Sequence, residues 1–383
     1  MDWNFLIKNK ESINVTTDSR KVTSGSVFVA LKGEHFDGND FVDQARHDGA
    51  AYVISGENAL AELQDLARAW RRELGLPIIG ITGTNGKTTT KELCAAVLST
   101  KYNLYYTQGN LNNQIGVPLT LLNITRAHEM AIVEMGASHP GDIKELVDIA
   151  EPNCGLITNV GRAHLQGFGS FEGVMRTKAE LYDFLRAHGG FCFRNTDNPY
   201  LAQMVGDLKT VPYTTGTMPE GTHLVGAYNA ENVSAAVCVG RYFGVNEDAA
   251  LAAIRAYVPS NNRSQLMQTE HNTIVVDAYN ANPTSMQAAI NAFKGNCYIL
   301  GAMRELGDYS HLEHQNIVNM LLERKADKVL LVGEEYNDTT APYPVYANVD
   351  VLCEALRNEP LSGYTILLKG SRSNQLEKVL PLL

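Results

Sequence analysis

The stretch Gly80-Ile-Thr-Gly-Thr-Asn-Gly-Lys-Thr-Thr-Thr90 decides the fold of this chain. The apolar residues 76–79 before it predict a buried strand, and residues 91–98 after it have apolar side chains at helical spacing. Strand, glycine-rich turn, Lys-Thr and helix form the layout of a phosphate-binding loop, although Gly80 stands one position early for the G-x-x-x-x-G-K-[ST] pattern. The alternative, a turn without a ligand, gives no reason for a lysine followed by three threonines. We therefore predict that a nucleoside triphosphate binds here.

The residue types of this stretch explain how it would hold a triphosphate. Gly83 and Gly86 allow backbone N–H groups to converge on phosphate oxygens. Lys87 supplies a mobile positive charge, and Thr88 supplies a hydroxyl for Mg²⁺. The candidate nucleotide-binding residues of the loop are Gly83, Thr84, Asn85, Gly86, Lys87, Thr88 and Thr89.

The composition limits the class of protein. A chain of 383 residues with 44% hydrophobic residues and 32 glycines is typical of an α/β protein with two or three domains. Its net charge of −10, without a long Lys/Arg cluster, argues against binding to nucleic acid or to an acidic membrane surface. The N-terminus has no signal-peptide pattern, no run approaches a membrane span, and the six cysteines stand singly, as in a reducing cytosol. We expect a cytoplasmic protein without membrane insertion, and nothing in the sequence demands more than a monomer.

Three α/β regions follow one another along the chain. Residues 1–75 contain short β-like runs and a helix near residues 59–74. In residues 76–258, apolar strands alternate with amphipathic helices, which predicts a mainly parallel sheet with helical crossovers. Residues 259–383 alternate again and predict a second open sheet with Rossmann-like winding. The predicted fold class is α/β with three domains: a small N-terminal α/β domain, a central parallel-sheet domain that carries the phosphate loop, and a C-terminal Rossmann-like domain.

Three residues at or after predicted strands are candidates for chemistry. Glu134 ends an apolar run, where a carboxylate can hold Mg²⁺ beside the phosphates or else pair locally. His164 follows the next strand, and a single histidine is more often a structural hydrogen-bonding group than a ligand. Lys178 lies on a predicted helix, where a solvated surface lysine is the common case. Position alone therefore favours a function only for Glu134.

Polar side chains at two further places predict ligand contacts. Asn229 and Asn232 stand on the first turn of an alanine-rich helix, where they can cap the helix or read the edge of a base. In the third region, predicted strands are followed by polar or glycine-rich loops at residues 276–283, 301–307 and 369–372. The carboxyl ends of parallel strands meet at one edge of an open sheet, so these loops predict a second substrate surface.

Several segments resemble the Mur ligases, the ATP-dependent amide-forming enzymes of peptidoglycan synthesis. The segments that carry this resemblance are residues 82–89, 110–118, 134–137, 159–165 and 228–232. Segments that resemble the branch of the family adding D-Ala-D-Ala are residues 277–286, 300–307 and 369–372. Residues 18–20 and 36–38 resemble a nucleotide-sugar domain, so residues 1–75 would bind a UDP-sugar.

The resemblance implies a reaction and its ligands. ATP and Mg²⁺ would drive ligation of D-Ala-D-Ala to UDP-MurNAc-tripeptide through an acyl phosphate. Lys87 and Thr88 would handle the phosphates and Mg²⁺, and Glu134 would be a Mg²⁺ ligand. His164 would assist at a second metal ion. Lys178 matches the lysine that the family carbamylates, which turns a cation into a carboxylate-like metal ligand.

The resemblance also implies contacts to the nucleotide and to the substrates. Asn232 matches the amide that faces adenine, with Asn229 beside it, while Arg263 and Asp277 match contacts from the third domain to ATP. The implied substrate contacts, of which the first two would face the uridine diphosphate, are Ser19, Arg20, Asn112, Asn113, Asn280, Asn282, Ser371 and Arg372.

Three departures from the family pattern are visible. Tyr228 stands where many members have histidine, Ala302 stands where aspartate is common, and residues 198–226 form a shorter stretch than the family leads us to expect. None of them removes the phosphate loop or the metal residues. Two other functions stay open: the related ligase that adds the third amino acid of the peptide, and an ATP-driven switch without amide chemistry.

Overall fold

Three β-sheets, one in each predicted region, organise the chain. They are seen in a computed structural model that describes residues 2–259 and 263–383. The first sheet is parallel and consists, in spatial order, of β1 (Val15–Thr16), β2 (Val27–Val29) and β3 (Tyr52–Ile54). The helices of this region are α1 (Asn4–Ile7), α2 (Val42–His47) and α3 (Ala59–Leu74).

Helix α3 joins the first region to the second. Its apolar side chains recur at helical spacing and form one buried face, which includes Leu63, Leu66 and Trp70. The helix ends at Gly75, whose φ of 63° is a left-handed conformation that glycine adopts without a steric cost. The Trp70 indole donates a hydrogen bond of 2.8 Å to the carbonyl of Ile124 in the second region.

The second sheet is parallel throughout and carries the phosphate loop near its centre. Its spatial order is β5-β6-β4-β7-β8-β9, with strands β4 (Ile78–Thr82), β5 (Leu104–Tyr106), β6 (Met130–Glu134), β7 (Cys154–Ile157), β8 (Phe191–Asn195) and β9 (Thr210–Tyr213). The helices are α4 (Lys87–Leu98), α5 (Gly116–Leu122), α6 (Asp142–Ala150), α7 (Leu165–Phe168), α8 (Phe171–Ala187), α9 (Pro199–Val205), α10 (Asn229–Tyr242) and α11 (Glu247–Ala256). The predicted parallel sheet with helical crossovers is confirmed.

The third sheet is mixed. Its spatial order is β10-β11-β15-β12-β13-β14, with strands β10 (Gln265–Gln268), β11 (Thr273–Asp277), β12 (Cys297–Gly301), β13 (Lys328–Val332), β14 (Val345–Tyr346) and β15 (Thr365–Lys369). Its helices are α12 (Pro283–Ala292), α13 (Ser310–Arg324) and α14 (Val349–Asn358). Five strands run parallel, as the alternation predicts, but β10 pairs antiparallel with β11. Only four residues separate these two strands, and so short a connection permits only a hairpin.

The hydrophobic cores do not follow the three regions one by one. One continuous core contains residues of the first region, such as Val29, and residues of the second, such as Val133 and Leu181. The third region has two apolar cores of its own, one on each face of its sheet. The first two regions are thus joined by apolar packing, while the third contacts them mainly through polar groups.

The predicted α/β class is confirmed, whereas the domain limits at residues 75/76 and 258/259 stay predictions. All six cysteines are free thiols, and five of them are buried. Within residues 2–259 and 263–383, no helix combines the length and the apolar character needed to cross a bilayer.

Candidate functional site

A cavity of about 680 Å³ lies between the carboxyl edge of the second sheet and the third region. Strands β4, β6 and β7 end at it, and the strand order reverses around β4, which is where open α/β sheets form ligand clefts. The predicted site residues that line the cavity are Thr84, Asn85, Gly86, Lys87, Thr88, Thr89, Asn112, Asn113, Glu134, His164, Asn229, Asn232, Arg263, Asp277 and Asn280.

The glycines of the loop are required by backbone conformation and by close contacts. Gly83 has a φ of 142°, and a Cβ there would lie 2.0 Å from Thr158 Oγ1. Gly86 has a φ of 78°, and a Cβ there would lie 2.4 Å from Asn232 Oδ1. Gly80, the glycine that stands one position early, serves packing instead, because a Cβ would lie 2.6 Å from Met135 Cε.

We expect Gly83→Ala to weaken ADP binding at least about tenfold. The substitution puts a side chain in a glycine-only region of φ and ψ, a strain of about 1–3 kcal/mol, and pushes the loop off Thr158. Calorimetric titration with ADP measures the effect. Gly216→Ala is the matched control, because its Cβ would meet only Ser234 Oγ at 3.6 Å. Unchanged ADP affinity in Gly83→Ala would contradict a loop whose backbone holds the phosphates.

Lys87 lies inside the loop that it would use to hold phosphate. Its Nζ donates hydrogen bonds to the carbonyls of Gly83 at 2.8 Å and Thr84 at 3.0 Å. Burial lowers the pKa of Lys87 to about 8, while the charge of Glu134 opposes this shift. The ammonium group is therefore largely charged at neutral pH and is held in the loop by its hydrogen bonds to these two carbonyls.

Glu134 is a buried carboxylate with one oxygen that accepts no hydrogen bond. Its Oε1 accepts hydrogen bonds from Thr88 Oγ1 at 3.2 Å and from Asn112 Nδ2 at 2.8 Å. Its Oε2 has no hydrogen-bond partner, although the side chain is only 1% exposed. Mg²⁺ is commonly bound by one or two carboxylates together with substrate phosphates and water. A buried carboxylate whose Oε1 lies beside the loop hydroxyl of Thr88 fits that ligand set.

His164, at the start of α7, lines the cavity, whereas Lys178, on α8, is not among the lining residues but lies within electrostatic reach of His164 and Lys87. Lys178 is 2% exposed, lies over the ring of Phe168 at 5.4 Å, and donates no hydrogen bond to any residue that the structure describes. Burial, and next the charge of Lys87, hold the pKa of Lys178 well below its usual range. A solvated surface lysine, the common case for such a position, is therefore the wrong interpretation of Lys178.

His164 has a φ of 50° and directs Nδ1 to Glu305 of the third region. Burial lowers the pKa of His164, while the neighbouring Glu305 carboxylate opposes this shift. His164 therefore makes a structural hydrogen bond that joins the second region to the third. The predicted role of His164 as a metal ligand stays a prediction.

The two amides of α10 form a network rather than a helix cap. Asn232 Nδ2 donates to Asn229 Oδ1 at 2.9 Å, and Asn232 Oδ1 accepts from Thr90 Oγ1 at 3.0 Å. Asn229 Nδ2 donates to the carbonyl of Val225 at 2.8 Å. Capping is excluded, because neither side chain accepts a hydrogen bond from the first backbone N–H groups of the helix. Both residues line the cavity, where each amide retains capacity for a further hydrogen bond.

The third region contacts the phosphate loop directly. Asn282 caps α12 and also donates from Nδ2 to Asn85 Oδ1 at 2.8 Å. Beside this pair, the backbone N–H of Arg162 donates to Thr284 Oγ1 at 3.0 Å. The guanidinium of Arg162 pairs at 3.0 Å with Glu313, a buried carboxylate. The N-terminus of α12 is thereby fixed against the loops that follow β4 and β7.

Charged and aromatic groups of the third region form the remaining wall of the cavity. Lys369 Nζ contacts Asp277 Oδ2 at 2.6 Å and the carbonyl of Asn280 at 3.1 Å. The guanidinium of Arg263 lies 3.8 Å from the centre of the Tyr279 ring, and that of Arg372 lies 5.7 Å from it. The stacked Arg263 has a buried Nε without a hydrogen-bond partner. A cation held on an aromatic face beside the loop is suited to an anionic ligand.

Some predicted residues have a local role or lie away from this cavity. Asn113 lines the cavity, but its Oδ1 accepts from backbone N–H groups at the start of α5. Ser19 and Arg20 lie on a short 3₁₀ turn of the first region, where Arg20 pairs with Asp18 at 2.8 Å. Ser371, whose buried hydroxyl has no hydrogen-bond partner, lies at the end of β15. Ser19, Arg20, Ser371 and Arg372 do not line the cavity, and the substrate contacts of all five residues stay predictions.

Three functional candidates had not been singled out from the sequence: Tyr279, Thr284 and Glu305. All three line the cavity. Tyr279 and Thr284 lie inside the segment 277–286, and Glu305 lies inside 300–307. The signal that could have identified them was their place in loops that follow strands at the cavity edge.

Comparison with known proteins identifies a family and several relatives of this chain. Family models match three consecutive parts of the chain: the Mur ligase family catalytic domain (residues 13–95), the Mur ligase middle domain (81–221) and the Mur ligase glutamate ligase domain (262–372). The UDP-N-acetylmuramoyl-tripeptide--D-alanyl-D-alanine ligase of Bacillus subtilis (strain 168) is 34% identical, and the alignment covers 95% of this chain and 92% of that protein. The protein of the same name from Escherichia coli (strain K12) is 32% identical, with the same two coverages.

Solved structures agree with these relatives. The MurF ligase from Thermotoga maritima in complex with ADP superimposes with a TM-score of 0.87 at 28% identity, covering 98% of both chains. MurF from Acinetobacter baumannii gives a TM-score of 0.85 at 28% identity, covering 96% of this chain and 92% of that one. The Bacillus alignment spans 422 positions, more than the 383 residues here, so the relative carries segments that this chain lacks.

Proposed function

The chain belongs to the Mur ligase family, and from that premise we propose that it joins D-Ala-D-Ala to UDP-MurNAc-tripeptide with cleavage of ATP to ADP and phosphate. The observation that carries the proposal is the cavity in which the phosphate loop, the buried Glu134 carboxylate and the groups of the third region converge. The relatives at 34% and 32% identity, both named for this ligation, support the same reaction.

In the first step, a terminal carboxylate oxygen of the tripeptide attacks the γ-phosphorus of ATP, the bond to the β,γ-bridging oxygen breaks, and ADP leaves. The product is an acyl phosphate. Anionic oxygens of both substrates must approach each other, so the loop N–H groups and the Lys87 ammonium act by offsetting their repulsion. Arg263, stacked on Tyr279, adds positive charge from the third region.

In the second step, the uncharged amine of D-Ala-D-Ala attacks the acyl carbon, phosphate leaves, and the nitrogen loses a proton. This step depends chiefly on holding the amine against the carbon. We assign the dipeptide to the carboxyl edge of the third sheet, where Ser371 has a buried, unpartnered hydroxyl and Arg372 offers a charge. The first region would hold the uridine diphosphate through Ser19 and Arg20.

Metal ions are part of this proposal. Bound Mg²⁺ would supply positive charge to the phosphates. Thr88 and Glu134 would hold it beside the loop, and Asn112 would orient Glu134. Lys178, buried and without an acceptor, would be carbamylated and hold a second ion together with His164.

The adenine is assigned to the end of the cavity formed by α10. Asn232 would face the base with its remaining hydrogen-bonding capacity, and Asp277 would contact ATP from the third region. We further propose that the protein acts in the cytoplasm and as a monomer.

The test is phosphate release with ATP and UDP-MurNAc-tripeptide, with and without D-Ala-D-Ala. We expect release that depends on both the tripeptide and the dipeptide. Stimulation by free lysine or diaminopimelate with a UDP-MurNAc-dipeptide, and none by D-Ala-D-Ala, would instead identify the ligase that adds the third residue. Nucleotide hydrolysis that no amine stimulates would indicate a switch without amide chemistry.

A further inference from the structure

Lys91 is a buried cation on the far side of the carboxylate that would bind Mg²⁺. It lies one turn after Thr88 on α4, so both side chains point from the same helix face toward the end of β6. Its side chain is 1% exposed, and Nζ lies 3.9 Å from Glu134 Oε2. That is the oxygen without a hydrogen-bond partner.

Thr107 connects the same two groups by a second route. Lys91 Nζ donates to the Thr107 carbonyl at 2.7 Å. The backbone N–H of Glu134 donates to Thr107 Oγ1 at 3.0 Å. Lysine, threonine and glutamate therefore form a closed triangle across α4, the loop after β5 and the end of β6. The two hydrogen bonds hold the Lys91 ammonium group and the Glu134 backbone, and only the third side, from Lys91 Nζ to Glu134 Oε2, acts on the carboxylate directly.

We propose that Lys91 is a positioning residue for Glu134, holding its carboxylate in the orientation that receives Mg²⁺ beside the nucleotide. The inference rests on the proposed function, because it concerns the metal that would accompany ATP. Lys91 would not touch the nucleotide, since Nζ faces Thr107 and the ring of Tyr106, whose centre is 5.6 Å away.

Two effects of opposite sign act on the metal. The ammonium group repels a second cation, but it also keeps the carboxylate in place. Lys91 Nζ lies between two carboxylates, at 3.8 Å from Glu92 Oε1 and 3.9 Å from Glu134 Oε2, so the three groups together carry one negative charge. Without the lysine, Glu134 would lose the ammonium group that lies beside its Oε2 and limits the position of this oxygen. We expect the loss of positioning to outweigh the relief of repulsion.

The experiment measures Mg²⁺ dependence of ADP binding by calorimetry, which does not require turnover. Groups that orient a metal ligand typically contribute 10- to 100-fold in metal affinity. We expect Lys91→Met to raise the Mg²⁺ concentration needed for tight ADP binding by about tenfold or more. ADP affinity without Mg²⁺ should be unchanged, and Lys91→Arg should recover most of the loss.

Two further variants separate charge from packing. Lys91→Gln keeps a donor for the Thr107 carbonyl but lacks the charge, so it should fold and still show the raised Mg²⁺ requirement. Lys101 is the matched control, because it also donates to backbone carbonyls and lies 5.2 Å from a tyrosine ring centre, but faces no carboxylate of the cavity. Lys101→Met should leave the Mg²⁺ requirement unchanged.

The outcomes are distinguishable. An unaltered or lower Mg²⁺ requirement in Lys91→Met and Lys91→Gln, with normal Mg²⁺-dependent ADP binding in the unmodified protein, would overturn the role of Lys91 alone. Absence of any Mg²⁺-dependent ADP binding in the unmodified protein would overturn both this inference and the proposed function.

Discussion

Lys87→Met is expected to lower the rate of dipeptide-dependent phosphate release by about a thousandfold. Removing one preorganised donor to developing negative charge typically costs 10²- to 10³-fold. Lys87 is such a donor, because its Nζ already lies in the loop, within reach of the carbonyls of Gly83 and Thr84. Since its pKa is about 8, most molecules carry the charge at pH 7.

The measurement is kcat for phosphate release together with ADP affinity, and both should fall. The unfolding midpoint should change little, since the lost hydrogen bonds go only to two loop carbonyls. Lys144→Met is a suitable control, because Lys144 forms an exposed ion pair with Asp148 on α6. If the Lys87→Met protein retained the full rate, the loop would have no part in the reaction.

Lys178→Met is expected to lower the same rate more than about a hundredfold, since a metal ligand should contribute at least as much as the groups that orient it. The lysine is buried, has no hydrogen-bond acceptor among the described residues, and has a pKa held well below its usual range. An uncharged amine is the form that adds CO₂ to give a carbamate. Charge reversal by this addition would explain why a lysine is buried within electrostatic reach of Lys87.

A carbamate on Lys178 would also make the activity depend on CO₂. Removal of CO₂ and bicarbonate should lower the activity of the unmodified protein, and added bicarbonate should restore it. Lys178→Met should not respond to bicarbonate. Activity that is indifferent to CO₂ in the unmodified protein would leave Lys178 as an amine and would contradict its role as a metal ligand.

Local patterns were sufficient to predict most of the fold. Strict alternation of apolar runs and amphipathic segments predicts parallel sheets, and the helix expected near residues 59–74 is observed as α3, Ala59–Leu74. Strand β10 was not foreseen, because Gln265–Gln268 is half polar and half exposed and has no apolar run to reveal it. Its place at the sheet edge is set by the hairpin with β11 and not by a pattern in its own residues.

The site was predictable where its residues are close in sequence and much less so elsewhere. The loop around Lys87 and the carboxylate at the end of β6 follow from strand ends and residue type. The hydrogen bond between Asn85 and Asn282 joins residues 197 positions apart, and no local pattern encodes it. The burial of Lys178 was unforeseen from position for the same reason, since it depends on which face of α8 packs against the sheet.

The distribution of apolar packing makes the molecule two cooperative units rather than three. The first two regions share one core and should melt together. The third has its own cores and is attached by amide, hydroxyl and ionic contacts such as Asn85–Asn282 and Arg162–Glu313. Water can replace such contacts at small cost, so this joint can separate while both units stay intact. Large substrates could then enter and leave between two rigid bodies, without partial unfolding of either.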